Sequence, residues 1–152
     1  MTTTTFSVVN NSADTAIASA TMNSLANGAY ALGAAINNSP TSGSVIGYDD
    51  ADLYIQLASA VTTAAGAPNI VVWILPTYDG SVYPPTSAGS PTYLSRTFMF
   101  AASTSTTLLA LTGLRSLILP ITFKVQILNN LGVAFPASGN NAYLVRKTNA
   151  AW

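Results

Sequence analysis

Leu119 to Lys147 reads LPITFKVQILNNLGVAFPASGNNAYLVRK. Ile121, Phe123, Val125 and Ile127 alternate with Thr122, Lys124 and Gln126, the period-2 pattern of a half-buried strand. Asn129-Asn130-Leu131-Gly132 supplies turn chemistry, because Asn and Gly tolerate positive φ. Val133-Ala134-Phe135 resumes an extended pattern. Ser138-Gly139-Asn140-Asn141 forms a second turn, and Ala142 to Lys147 a last strand. Three strands joined by two tight connections predict a C-terminal antiparallel β-meander and an all-β chain.

Working outward, the remaining segments are of the same kind. Asn69 to Leu75, NIVVWIL, is a continuous apolar run of strand length, as expected for a central strand covered on both faces. Leu53, Ile55 and Leu57 alternate with Tyr54 and Gln56. Tyr30, Leu32, Ala34 and Ile36 alternate with Ala29, Ala31, Gly33 and Ala35, so that strand has one face of very small residues, which admits another sheet or another chain. Tyr93 to Ala101 is a further strand. Phe6, Val8 and Val9 begin one that turns at Asn10-Asn11-Ser12. Thr15 to Thr21 reads as a strand before a turn at Asn27-Gly28. Ser103 to Ile118 fits a short helix or an irregular crossover, since Leu108, Leu111, Leu114 and Ile118 have near-helical spacing. Residues 6–152 read as one domain behind an unpatterned arm, residues 1–5.

The composition narrows the function. The chain has 152 residues, 49% of them apolar and only 7% charged, with zero net charge; ordinary soluble domains carry about 25% charged residues. Neutrality gives no electrostatic reason for a nucleic-acid or anionic-membrane partner. With so little charge repulsion, self-association is weakly opposed, and the chain reads as part of an assembly. Cysteine and histidine are both absent, which removes disulfides, thiolate metal sites, the commonest general base and the usual pH switch. Met1-Thr2-Thr3-Thr4-Thr5 lacks the basic start and apolar run of a secretory leader. Leu108 to Phe123 is interrupted by Arg115 and Pro120 and is too short to span a bilayer as a helix.

Motifs for chemistry are missing. There is no phosphate-binding glycine loop and no dinucleotide fingerprint. A serine nucleophile would need Lys124 or Lys147 as its base, and both sit in strands of ordinary pattern. No catalytic residue and no cofactor is expected. Asp49, Asp50 and Asp52 are the candidate calcium ligands. They lack the spacing of a calcium loop, and turn aspartates commonly bond to their own backbone instead. Asn10-Asn11-Ser12 and Asn37-Asn38-Ser39 match the glycosylation acceptor pattern but read as turns. Pro76 to Thr92, PTYDGSVYPPTSAGSPT, is a long aperiodic loop holding four prolines and the aromatic pair Tyr78 and Tyr83. Proline fixes φ and tyrosine buries a large face at small entropic cost, so this is either a contact loop or a long hairpin. The candidate partner contacts are Thr2, Thr3, Thr4 and Thr5 of the arm with Tyr78 and Tyr83.

The pattern LP-x-x-F-K-V-x-I-x-N-N-x-G-V-x-x-P-A-S-G-N, Leu119 to Asn140, resembles a segment of small structural proteins of tailed bacteriophages. In size, neutrality and Thr/Ser/Ala richness the chain is similar to capsid decoration (cement) proteins. That resemblance implies a jelly-roll-like antiparallel β-sandwich on the exterior of a virion. It implies as partners the major capsid protein of the shell and further copies of the chain itself, as a homotrimer. It carries no functional residue over. The alternative reading is a carbohydrate-binding β-sandwich, free-standing or within a tail or fibre, with Tyr78, Tyr83, Trp73 and Trp152 as stacking candidates. A small outer-membrane barrel fits less well, because long alternating strands and aromatic girdles are missing.

Overall fold

The computed structural model describes residues 6–37, 50–62, 68–77, 79, 81–83, 95–99, 107–111 and 122–151. They form β1 (Phe6–Ile17), a single helical turn α1 (Ser19–Met22), β2 (Tyr30–Leu32), β3 (Ile36–Asn37), β4 (Asp50–Leu57), β5 (Asn69–Pro76), β6 (Ser95–Met99), β7 (Thr107–Leu111), β8 (Thr122–Asn130) and β9 (Asn141–Ala151). All pairings are antiparallel. One sheet runs β1-β9-β4-β7 and the other β2-β8-β5-β6, with β3 also on β8. Strands β2 and β3 thus form one interrupted line. Apart from that interruption, β5 and β6 are the only sequential strands among the described residues that neighbour each other in one sheet. That is the strand order of a jelly roll, two sheets that exchange strands at nearly every connection.

The core lies between the sheets. Ala51, Leu53, Ile55 and Leu57 of β4 and Ala142 and Leu144 of β9 are buried on one side. Ile70, Val72 and Ile74 of β5 and Phe123, Val125 and Ile127 of β8 are buried on the other. Each set has the period of 2 that places alternate side chains on one face. The apolar run in β5 is explained by its other face, where Trp73 and Leu75 are buried as well. Trp73 meets Tyr30 of β2 with ring centroids 6.0 Å apart, and Gln126 of β8 lies opposite it in register.

The C-terminal meander is not formed. Strands β8 and β9 belong to different sheets, and residues 131–140 carry the chain from one to the other. Val133-Ala134-Phe135 alternates because Phe135 is an anchor, buried in the core beside Leu131, while Ala134 is exposed. Alternation reports which side chains are buried, and an anchored loop produces it without a ladder.

Three further segments depart from the sequence reading. Asn10-Asn11-Ser12 is a bulge within β1, where Asn10 pairs with Lys147 and Ala13 with Val145, so two residues face one. A second irregularity sets Ala16 between Thr15 and Ile17, paired with Tyr143 and Ala142. The expected strand Thr15 to Thr21 ends at Ile17, and α1 follows. Residues 107–111 form strand β7 beside β4, so Leu108 and Leu111 are strand residues, while the rest of 103–118 lies outside the described residues.

The small-residue face of β2 serves the domain's own interior. Ala31 is fully buried in the core. A Cβ on Gly33 would lie 1.8 Å from the main-chain oxygen of Ala16, so the extra residue in β1 occupies the space a side chain would need. Of the two occupants that face could admit, another sheet is the one present.

Candidate interaction surface

The β5–β6 connection begins as a knotted turn. Asp79 Oδ1 accepts from Val82 N at 2.7 Å and Ser81 N at 2.8 Å. Those two amides, Val82 first, hold its carboxyl down at about 2, because they stabilise the charged form. The Thr77 hydroxyl, with one proton to give, is 2.8 Å from Val82 O and 3.2 Å from Asp79 Oδ1. Thr77 N donates to Thr122 O of β8 at 3.1 Å and fastens the turn to the sheet. The knot presents Val82, 66% exposed and the only large exposed hydrophobic residue among those described. Tyr83, half-buried, lies under Lys124 with Nζ 4.2 Å from the ring centroid. This cation–π contact takes one face of the ring. Tyr78 and residues 84–92 lie outside the described residues, as do Thr2, Thr3, Thr4 and Thr5.

Two of the three candidate calcium ligands stand in a strand rather than a turn. Asp50 and Asp52 lie within β4, whose inward positions are Ala51, Leu53, Ile55 and Leu57. Asp52, with its side chain only 5% exposed, is ion-paired to Lys147 of β9, and Tyr54 OH donates to the same oxygen at 3.3 Å. Asp50 is directly opposite Lys147 in the ladder. A carboxylate this buried persists charged only with a partner, and here the partner is a lysine. No group of three or more metal-ligating acids, histidines or cysteines exists among the described residues. Asp49 is outside them.

Two arrangements escaped the sequence reading because their partners are far apart along the chain. Arg146 Nε donates to Asp14 Oδ2 of β1 at 2.6 Å, and its Nη1 donates to Asn37 O of β3 at 2.7 Å, so one guanidinium ties three strands and both sheets. At the loop joining the sheets, Asn129 and Asn140 are fully buried. Asn129 Nδ2 donates to Leu25 O and Val133 O, both at 2.8 Å, and its Oδ1 accepts from Leu131 N at 3.0 Å. Asn140 Nδ2 donates to Pro136 O at 2.6 Å and Asn23 Oδ1 at 3.0 Å, and its Oδ1 accepts from Ala58 N at 3.2 Å. The NNxG and ASGN motifs are therefore fasteners. Their asparagines satisfy main-chain groups that no ladder reaches, while Gly132 and Gly139 hold φ of 81° and 76°.

Lys124 is over Tyr83 and Lys147 is ion-paired to Asp52. Trp73 is buried against Tyr30 and presents no ring to solvent. No helix is long and apolar enough to cross a membrane. The exposed face here is the hydrogen-bonded turn that carries Val82, next in the chain to Tyr83 with Lys124 over its ring. No family model, no curated protein and no solved structure matches the chain.

Proposed function

We propose that the chain is a structural virion protein, a capsid decoration protein that seats on the outer surface of a tailed-phage head, stabilises it and performs no catalysis. The observation that carries the reading is the jelly-roll strand order, an architecture shared by capsid and lectin domains, in a chain with no histidine, no cysteine and zero net charge. Fold alone does not assign function. The decoration reading draws further on the Leu119–Asn140 resemblance. The partners are the major capsid protein and further copies of this chain, three being the number that resemblance implies. Several weak contacts on a symmetric shell add through effective concentration, which suits a face offering one exposed apolar side chain.

The lectin branch of the same architecture supports the second reading, carbohydrate binding. Against it, Trp73 is buried and closed to a sugar, and Lys124 covers one face of Tyr83, which leaves only the other for stacking. Co-sedimentation with expanded phage shells, run beside a glycan array, separates the two. Binding to shells with a blank array supports decoration; the reverse result replaces it with carbohydrate recognition. Analytical ultracentrifugation measures the copy number, and a monomer at high concentration removes the trimer.

A further inference from the structure

Asn27-Gly28 is the chain's one Asn-Gly pair. It sits exposed in the connection between α1 and β2. Asn-Gly is the sequence most prone to spontaneous deamidation, since glycine has no Cβ to hinder approach of its own nitrogen to the preceding side-chain carbonyl. Here the two reacting groups are held in opposite senses. The electrophile is activated: Gly132 N donates to Asn27 Oδ1 at 2.8 Å, which draws electron density from Cγ and would stabilise the oxyanion of an addition step. The nucleophile is withheld: Gly28 N donates to Asn129 O at 2.6 Å, and Asn129 N returns a bond to Ala29 O at 3.1 Å. Deprotonating Gly28 N there would set an anion against a carbonyl oxygen, and the ladder keeps the nitrogen from turning toward Asn27.

We propose that Asn27 is a self-modification site held shut by the fold, with the Gly28–Asn129 hydrogen bond as its latch. When that bond opens, base removes the Gly28 amide proton. The nitrogen attacks Asn27 Cγ, the Cγ–Nδ2 bond breaks, and ammonia leaves with a proton taken from water. Water then opens the cyclic imide at either carbonyl, giving aspartate or isoaspartate at position 27. Water is the only co-reactant. An aspartate keeps an acceptor for Gly132 N. An isoaspartate adds a methylene to the main chain, so Gly28 N cannot return to Asn129 O. The reaction therefore marks any molecule in which this end of the β2–β8 pairing has opened, and the inference does not depend on the proposed function.

The test is peptide mapping with isoaspartate detection after incubation in mildly alkaline buffer, folded against urea-denatured. Conversion at Asn27 is expected to be slower in the folded protein by at least about tenfold, because ladder amides open rarely. The slowing should match the hydrogen-exchange protection of the Gly28 amide in order of magnitude. Asn129→Ala, which removes the side-chain bonds to Leu25, Val133 and Leu131 but keeps the main-chain acceptor, should convert faster than the native chain. Equal rates folded and denatured overturn the latch, as does a folded Asn129→Ala protein that converts no faster. A native protein in which another asparagine converts first overturns Asn27 as the site. If Asn129→Ala does not fold, the comparison of native and denatured chains decides alone.

Discussion

Asn140 Nδ2 donates to Asn23 Oδ1 across 3.0 Å, joining residues 117 positions apart in the chain. The bond holds the loop leaving the β8 sheet against the segment that follows α1, and Asn140 also serves Ala58 N and Pro136 O. Truncating a buried side chain with three such partners leaves main-chain groups unsatisfied, at about 1–3 kcal/mol. Asn140→Ala should lose stability in that range in a urea titration, with m unchanged. Asn141→Ala serves as control, since its side chain reaches only Gly139 O at an exposed site, and should move stability by less than about 0.5 kcal/mol.

Gly33→Ala should be among the most damaging single-methyl additions. The new Cβ would meet the Ala16 oxygen at 1.8 Å, with Val125 O at 3.2 Å, and neither backbone can give way without breaking a ladder. The cost should reach the upper part of the about 1–3 kcal/mol of overpacking or exceed it. A variant melting within a degree or two of the native protein would show that β1 relaxes freely at its second bulge.

Asp52 and Lys147 differ in exposure, with side chains 5% and 21% accessible. Lys147→Met strands a buried carboxylate. The loss should be about 2–3 kcal/mol, below the about 3–5 of a fully buried pair because Lys147 reaches solvent. Adding Asp52→Leu to it should recover much of that loss, since an apolar pair has no charge to desolvate. If the double variant is no more stable than Lys147→Met, the ion pair is not the source of the penalty.

The stability profile against pH should be flat from about 5 to 9, since the chain has no histidine and all five acids are aspartates. The acid limb has a defined sign. Asp79 is lowered in the folded state from 3.8 to about 2. Its contribution is therefore fully present above 3.8 and is lost as pH falls toward 2. Asp79→Asn should flatten that limb by lowering the neutral plateau toward its acid value, with the profile between pH 5 and 9 still level. A melting temperature that moves by more than about 10 °C between pH 5 and 9, well beyond the effect of ~1–2 kcal/mol at this size, would contradict the flat profile.

Val82→Ser tests the proposed contact face. The side chain is solvent-exposed, so the fold should change by less than about 0.5 kcal/mol, while retention on phage shells should fall. Tyr83→Ala should act differently. It removes the Lys124 contact as well as the ring, so it should loosen the knot and lower thermal stability. Native retention by both variants would remove this loop from the interface.

The all-β antiparallel character and the buried faces of β4, β5 and β8 were legible because burial imprints a period of 2 on Leu53–Ile55–Leu57 and Phe123–Val125–Ile127, and a continuous run on Asn69–Leu75. What could not be read was the sheet to which each strand belongs. Strands β8 and β9 carry the same alternation whether they pair with each other or with β5 and β4. Polar residues were the harder case. Asp50 and Asp52 read as turn residues because the run Asp49-Asp50-Ala51-Asp52 is rich in a residue favoured in turns, and the lysine that claims Asp52 is 95 positions away. Asn129 and Asn140 read as turn residues, because their Leu25, Asn23 and Ala58 partners belong to segments that the sequence does not connect to them.

The pairing of β1 with β9 sets when their sheet can close. Phe6 is opposite Ala151, and β9 lies between β1 and β4. Until the ribosome has released β9, β1 has no neighbour in its sheet and β4 lacks one of its two. Strand β9 is therefore the one that closes this sheet, and it must find a partner made more than a hundred residues before it. Such long-range closure folds slowly, and a nascent chain waiting for it shows two open strand edges to any other chain nearby.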